Sequence, residues 1–203
     1  MSDNQFVQDW WDKNLATRYE EFASWIGDST ATSKKMFREY VKSKGYKSLI
    51  DFGCGNATEF FAYKEEYPEL EYMGADSSTF LYTLNISKGI PMALVQNDKT
   101  LLLRNQADIV FSRHVLEHQP SFKPLLVEMV RLALTEVLNV FFIPPQDKEI
   151  INYDPADNLY HNTFCKQEIE DFLKSLPDVD SFTWIPVTST EVALSIIKKE
   201  NKL

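Results

Sequence analysis

From Asn4 to about Lys44 the apolar positions recur at helical spacing. Trp10, Trp11, Tyr19, Phe22, Trp25 and Ile26 form a stripe on a first helix, and Met36, Phe37, Tyr40 and Val41 form one on a second. The break between them falls at "GDST" (27–30), and Gly45 closes the second helix. Beyond Gly45 the period changes. Short apolar runs, "SLIDF" (48–52), "EYMGA" (71–75), "MALVQ" (92–96), "DIVFS" (108–112) and "NVFFI" (139–143), alternate with helical patterns near 57–67, 77–87, 121–134 and 163–176. This alternation predicts a parallel sheet flanked by helices. The weakest crossover is "NDKTLLLRNQ", too short between the third and fourth runs for a helix. The chain closes differently, with "VDSFTWIPV" and "EVALSIIKK" around the turn "TST" reading as an antiparallel hairpin.

Composition narrows the class. A chain of 203 residues with 44% hydrophobic and 25% charged residues has the makings of one well-cored globular domain. No repeat, low-complexity tract or linker argues for a second. A formal net charge of -9 and a pI near 4.9 work against nucleic acid and anionic membrane, whose affinity comes from Lys and Arg replacing counterions. The two cysteines and an acidic, mixed N-terminus point to a reduced, cytoplasmic setting. The most apolar run, around "VLNVFFIPP", stops at a double proline, well short of the ~20 residues of a membrane span.

Candidate chemistry begins at "LIDFGCGNATEF", where Gly53 and Gly55 follow the first strand and precede the first helix. There glycine lets the backbone turn tightly and pass close to a ligand at the carboxyl end of the sheet. A dinucleotide fingerprint would want a small third residue where Thr58 stands, which weakens a nicotinamide oxidoreductase reading. Asp51, two residues before Gly53, suits an ammonium better than a pyrophosphate. The second strand ends "YMGADSS", so Asp76 stands where a carboxylate can accept hydrogen bonds from both hydroxyls of a ribose. Capping of the next helix is the alternative role for that position, and Ser77 or Ser78 could perform it instead. At the end of the third strand, Asn97 or Asp98 of "VQNDK" could hold an adenine amino group, or simply form a turn.

With "DFGCGNATEF", "YMGADSS", "QNDK" and "ADIVFSRHVLEH" in that order on those elements, the chain resembles the class I S-adenosylmethionine-dependent methyltransferases, and among them the small type 11 group. The resemblance implies an α/β Rossmann-like sheet of seven mostly parallel strands, order 3-2-1-4-5-7-6 with strand seven antiparallel, flanked by helices. It makes 1–203 a single methyltransferase domain: an N-terminal helical cap (1–45), a cofactor-binding core (46–176) and a C-terminal hairpin (177–203). S-adenosylmethionine would lie over the carboxyl ends of the first four strands. Asp51, Gly53, Cys54, Gly55 and Asn56 would cradle its methionine part, Asp76 and Ser77 its ribose, and Asn97 and Asp98 its adenine. Ser112, Arg113 and His114 would line the methionine side.

"FSRHVLEHQP" also carries His114, Glu117 and His118 in the H-x-x-E-H spacing of a zinc peptidase. Zinc needs a sustained helix and a third ligand, whereas Pro120 leaves room for barely one turn. The resemblance instead places this segment at the reacting methyl group. His114 and His118 are therefore candidates for proton transfer, needed where the methyl acceptor must lose a proton. The long loop "PPQDKEIINYDPADNLYHNTF" after the fifth strand offers Tyr153, Asp154, Asn158, Tyr160 and His161 to a polar substrate. Arg18 and Tyr19 are candidates to close over the cofactor's carboxylate, and the remaining N-terminal aromatics suit core packing. The expected function is methyl transfer to oxygen or nitrogen of a small polar molecule. A non-catalytic S-adenosylmethionine-binding or regulatory protein of the same fold is the alternative.

Overall fold

The computed structural model describes residues 3–26, 30–155 and 159–200. Two helices lead, α1 (Asp3–Ile26) and α2 (Thr32–Lys44), α1 being broken at Arg18 by non-helical backbone (φ -134°, ψ 26°). Gly45 ends α2 in the left-handed region (φ 69°), which glycine adopts without steric cost. The predicted break at 27–29 and Asn158 lie outside the described residues, as do the side chains of Phe22, Trp25 and Ile26.

The alternating region follows as β1 (Ser48–Phe52), α3 (Thr58–Glu66), β2 (Glu71–Asp76), α4 (Thr79–Ser87), β3 (Met92–Leu94) and β4 (Ala107–Arg113). A 3-10 turn (Leu116–His118), α5 (Lys123–Leu132) and β5 (Ala133–Phe141) come next. A small hairpin of β6 (Tyr153–Asp154) and β7 (Leu159–Tyr160), then α6 (Lys166–Ser175), β8 (Val179–Pro186) and β9 (Val192–Lys198), complete the chain. Seven strands form one sheet in the order β3-β2-β1-β4-β5-β9-β8. With β8 and β9 as sixth and seventh, this is the expected 3-2-1-4-5-7-6. The seventh, β9, runs antiparallel to both its neighbours.

β1 and β4 are apolar because both of their faces are covered. Alternate residues feed opposite layers: Ile50 and Val110 face the cluster holding Leu126, Met129 and Phe164, whereas Leu49 and Ile109 face Phe37, Val41 and Tyr63. Two element ends differ from expectation. β5 begins at Ala133, directly after α5, although Ala133 and Leu134 favour a helix and the predicted strand starts at 139. Pairing to β4 from Ala107↔Ala133 to Arg113↔Val140, and to β9 from Glu136 onward, outweighs that propensity. β3 stops at Leu94, and Gln96 pairs back with Lys99 across Asn97 and Asp98, both at positive φ. That turn replaces a crossover helix.

The sheet order reverses direction between β1 and β4, so the loops after these strands diverge to opposite faces and leave a crevice at their carboxyl ends.

Candidate active site

A cavity of about 650 Å³ occupies that crevice. Asp51 and Gly53 to Gly55 reach it from β1, Asp76 and Ser77 from β2, Asn97 and Asp98 from the turn after β3, and Arg113 to Val115 from β4. Trp10 and Trp11 of α1, Lys34 of α2 and Glu59 of α3 add further walls, as do His118, Gln119, Phe142, Leu159 and His161.

The glycine loop owes its shape to close approach. Gly53 sits at φ 76°, its N–H donates to Ala75 O at 2.7 Å, and a Cβ there would stand 2.2 Å from Val115 Cγ2. Gly55 N–H donates to Asp76 Oδ2 at 2.9 Å, and Asn85 Nδ2 donates to Gly55 O at 2.8 Å. The loop after β1 is thereby tied to the end of β2 and to α4. Ser78 rather than Asp76 caps α4, its Oγ accepting from Leu81 N.

Burial sets the electrostatics of the floor. It pushes the Asp51 carboxyl up to about 7 despite the Tyr72 hydroxyl that donates to Oδ2 at 2.7 Å. Burial likewise raises Asp76 to about 6, against hydrogen bonds from the Ser78 and Gly55 N–H groups. Two buried carboxylates in a largely apolar cavity favour a ligand that brings positive charge or hydroxyl donors. The Cys54 thiol is pushed up by burial too, so it is a neutral packing group beside Met92. Lys34 approaches Glu59 Oε1 at 3.7 Å, and Arg38 Nη1 donates to Glu59 Oε2 at 2.8 Å.

After β4 the chain bends through His114, a non-glycine residue at φ 59°. Its N–H donates to Val140 O at 2.9 Å, and its Nε2 lies 2.7 Å from Glu191 Oε1. Burial and the Arg113 charge lower His114 to about 4, which keeps the ring neutral near pH 7. His118 Nδ1 lies 2.8 Å from the Tyr160 carbonyl oxygen. A carbonyl only accepts, so Nδ1 carries the hydrogen and the neutral ring has its lone pair on Nε2. The rings of His114, His118 and His161 surround Phe142, with centroids 5.0, 5.4 and 6.4 Å from it. Glu117 turns elsewhere: buried and raised to about 7, it accepts from Phe142 N at 2.6 Å and braces the 3-10 turn against the end of β5. H-x-x-E-H is thus not on an α-helix, and among the described residues no group of three or more His, Cys, Asp or Glu could hold a metal ion.

Of the residues singled out in the sequence, Asp51, Gly53, Cys54, Gly55, Asp76, Ser77, Asn97, Asp98, Arg113, His114, His118 and His161 line this cavity. Asn56 and Ser112 are buried outside its lining, with Asn56 Oδ1 and Ser112 Oγ lacking hydrogen-bond partners among the described residues. Tyr19 packs on Phe80, and Tyr153 and Tyr160 stack on each other at 5.3 Å in the β6–β7 hairpin, all outside the lining. Arg18 is exposed and bonded to Glu21. Lys34, Glu59, Phe142 and Glu191 escaped the sequence, because each reads there as an ordinary helix, strand-end or turn residue. Trp10 and Trp11 showed there only as part of an apolar stripe, yet they both pack and line the cavity.

Residues 50–136 match a family model described as a methyltransferase domain. No curated protein sequence matches the chain. Solved structures share the fold at low identity. The Burkholderia thailandensis 1,6-didemethyltoxoflavin-N1-methyltransferase, solved with 1,6-didemethyltoxoflavin and S-adenosylhomocysteine, is 13% identical with a TM-score of 0.69, over 98% of this chain and 92% of that one. The Haemonchus contortus phosphoethanolamine N-methyltransferase 2, in complex with S-adenosylmethionine, is 13% identical with a TM-score of 0.69, over 96% of this chain and 60% of that one. The YcgJ protein of Bacillus subtilis is 11% identical with a TM-score of 0.63, over 83% of this chain and 99% of that one.

Proposed function

We propose that the chain is a class I S-adenosylmethionine-dependent methyltransferase, its residues 50–136 matching a methyltransferase-domain model, and that it methylates an oxygen or nitrogen of a small molecule at the cavity over β1, β2 and β4. The observation that carries this reading is the pair of buried carboxyl groups, Asp51 and Asp76, on adjacent strand ends with the glycine loop between them. They suit a ligand with an ammonium at one point and vicinal hydroxyls at another. Asp51 pairs with the ammonium, and Asp76 keeps a lone pair on each oxygen for the ribose hydroxyls. Gly53, Cys54 and Gly55 pass beside the methionine part, backed by Asn56 and Ser112, and Ser77 adjoins the ribose. Asn97 and Asp98 take the adenine side. Lys34, rather than Arg18, is the cation placed to meet the carboxylate, since it already lines the cavity.

When bound, S-adenosylmethionine supplies a methyl group that passes to the acceptor atom while its sulfur keeps the electron pair of the broken bond. The protein's part is to hold the acceptor in line at close range and to remove its proton. His118 offers Nε2 for that proton, with its tautomer set by the Tyr160 carbonyl, and His114 is the other candidate. Trp10, Trp11, Phe142 and His161 bound the acceptor side and exclude water from it. Tyr19, Tyr153 and Tyr160 support that side from behind. The acidic surface favours a small-molecule acceptor over nucleic acid or membrane, and no described helix is long and apolar enough to cross a bilayer. We place the protein in the cytoplasm and take the chain as one functional domain, with 1–45 as cap, 46–176 as core and 177–203 as the closing hairpin.

Titration calorimetry with S-adenosylhomocysteine tests the reading. Wild type should bind, and Asp76→Ala should weaken binding about 10- to 100-fold, the value of hydrogen bonds to a charged acceptor. Equal affinity in the two proteins, or no binding by wild type, rejects it.

A further inference from the structure

Glu191 ends the turn between β8 and β9, more than seventy positions from the residues it meets at the cavity. Its Oε1 accepts from three donors: Ser33 Oγ of α2 at 3.0 Å, Arg113 Nη2 of β4 at 2.9 Å and His114 Nε2 at 2.7 Å. Arg113 Nε also donates to Ser33 Oγ at 2.9 Å, which closes the set. The turn itself is held, since Glu191 N–H donates to Thr188 Oγ1 at 3.0 Å. The Glu191 side chain is 10% exposed, so this is a built contact and not a surface pair.

The chemistry of the contact fixes a proton. Arg113 holds the Glu191 carboxyl below its usual range and hence ionised, so Glu191 can only accept and His114 Nε2 must donate. His114 is neutral near pH 7, so its lone pair resides on Nδ1. His114 is also held at φ 59°, a conformation that costs a non-glycine residue energy and persists at sites where the surroundings impose it. His118 is set the opposite way, with the hydrogen on Nδ1.

We propose that Glu191 is a positioning residue for the methyl transfer, its carboxylate holding His114 at the cavity wall as the Nε2–H tautomer so that Nδ1 is the proton-accepting nitrogen. This rests on the reading above, in which a histidine of this segment takes the acceptor's proton. It goes further in naming the nitrogen and the residue that selects it. It also gives the β8–β9 hairpin a role at the site, because Glu191 joins that turn to α2 and β4.

The three histidines make the test direct. In protein labelled with ¹⁵N-histidine, two-dimensional nitrogen–proton spectra report the tautomer of each ring, and His118→Gln and His161→Gln assign the signals. Wild type should show His114 as Nε2–H and His118 as Nδ1–H. Glu191→Ala should give mixed, exchanging tautomers at His114 alone. Glu191→Gln should keep Nε2–H, because Ser33, Arg113 and His114 all select its amide oxygen. A wild-type His114 in the Nδ1–H form, or a Glu191→Ala spectrum unchanged at His114, overturns the proposal. The wild-type spectrum decides by itself if Glu191→Ala does not fold. Calorimetry with S-adenosylhomocysteine on the same samples reports the cofactor reading separately, so the two can fail independently.

Discussion

Asp51 shows how one residue type acquires two states from its surroundings. Burial holds its carboxyl at about 7, whereas a ligand ammonium beside it would stabilise the ionised form. Binding must then expel a proton whenever the pH lies near or below 7. S-adenosylhomocysteine affinity should therefore fall as pH drops from 8 to 6, with proton release visible as a dependence of the calorimetric heat on buffer ionisation. Asp51→Asn should bind more weakly at pH 8 and lose most of this pH dependence. Retention of the full dependence in the variant would assign it to another group, and Asp76, at about 6, is the alternative. Asp51, Gly53 and Asp76 were legible because a strand followed by a glycine loop is a local pattern. Lys34 and Glu191 were not, since nothing near them in the chain marks a residue that works across the fold.

At the scale of elements, buried charge joins the N-terminal helices to the core. Arg38 of α2, with a side chain 5% exposed, donates to Glu59 of α3 at 2.8 Å and to Glu66 at 3.0 Å. Glu59 in turn lines the cavity, so α2 both anchors α3 and sets the charge of a wall. Removing one partner of a buried pair leaves the other uncompensated. Arg38→Ala should lower stability by about 3–5 kcal/mol in urea denaturation; a loss under 1 kcal/mol would mean that Lys34, 3.7 Å from Glu59 Oε1, or water compensates that carboxylate. Glu136 of β5 plays a similar part, accepting from Tyr40 and Tyr46 and from Ser195 of β9. Those contacts explain why a segment rich in helix formers becomes a strand: the carboxylate finds its donors only when β5 lies between β4 and β9. Periodicity in 133–138 could not reveal that, because both neighbouring strands lie far away in sequence.

At the scale of the whole molecule, three buried carboxyls hold protons that the unfolded chain would release. Asp51, Asp76 and Glu117 sit at about 7, 6 and 7 in the folded state, against ordinary values near 4. Between about pH 4 and 7 the native state thus binds more protons than the unfolded one, so stability declines as pH rises. His114 opposes with a single proton, being lowered to about 4 from 6.5. Glu128 and Glu191, both lowered, lose their contributions only below the ordinary carboxyl range and do not act in this window. Without ligand, the protein should be more stable at pH 5.5 than at 7.5 by roughly 2–4 kcal/mol, measured by denaturant titration. Saturating S-adenosylhomocysteine should flatten the difference by stabilising ionised Asp51 and Asp76. Stability that rises with pH over this range would contradict the buried, proton-holding floor.

The apolar runs, the glycine loop after the first strand and the acidic ends of the next two marked the strands and the floor of the cavity, and the strand order followed from the family resemblance that those motifs carry. These are properties of strands buried on both faces and of turns that tolerate few residue types, so they are written locally. The tertiary structure alone decided where β5 begins, that H-x-x-E-H splits into two histidines on the cavity and a bracing glutamate, and that Tyr153 and Tyr160 lie outside its lining. It alone decided that Glu191 meets His114. Each of these depends on hydrogen bonds between segments distant in sequence, whose partners only the closed fold brings within reach.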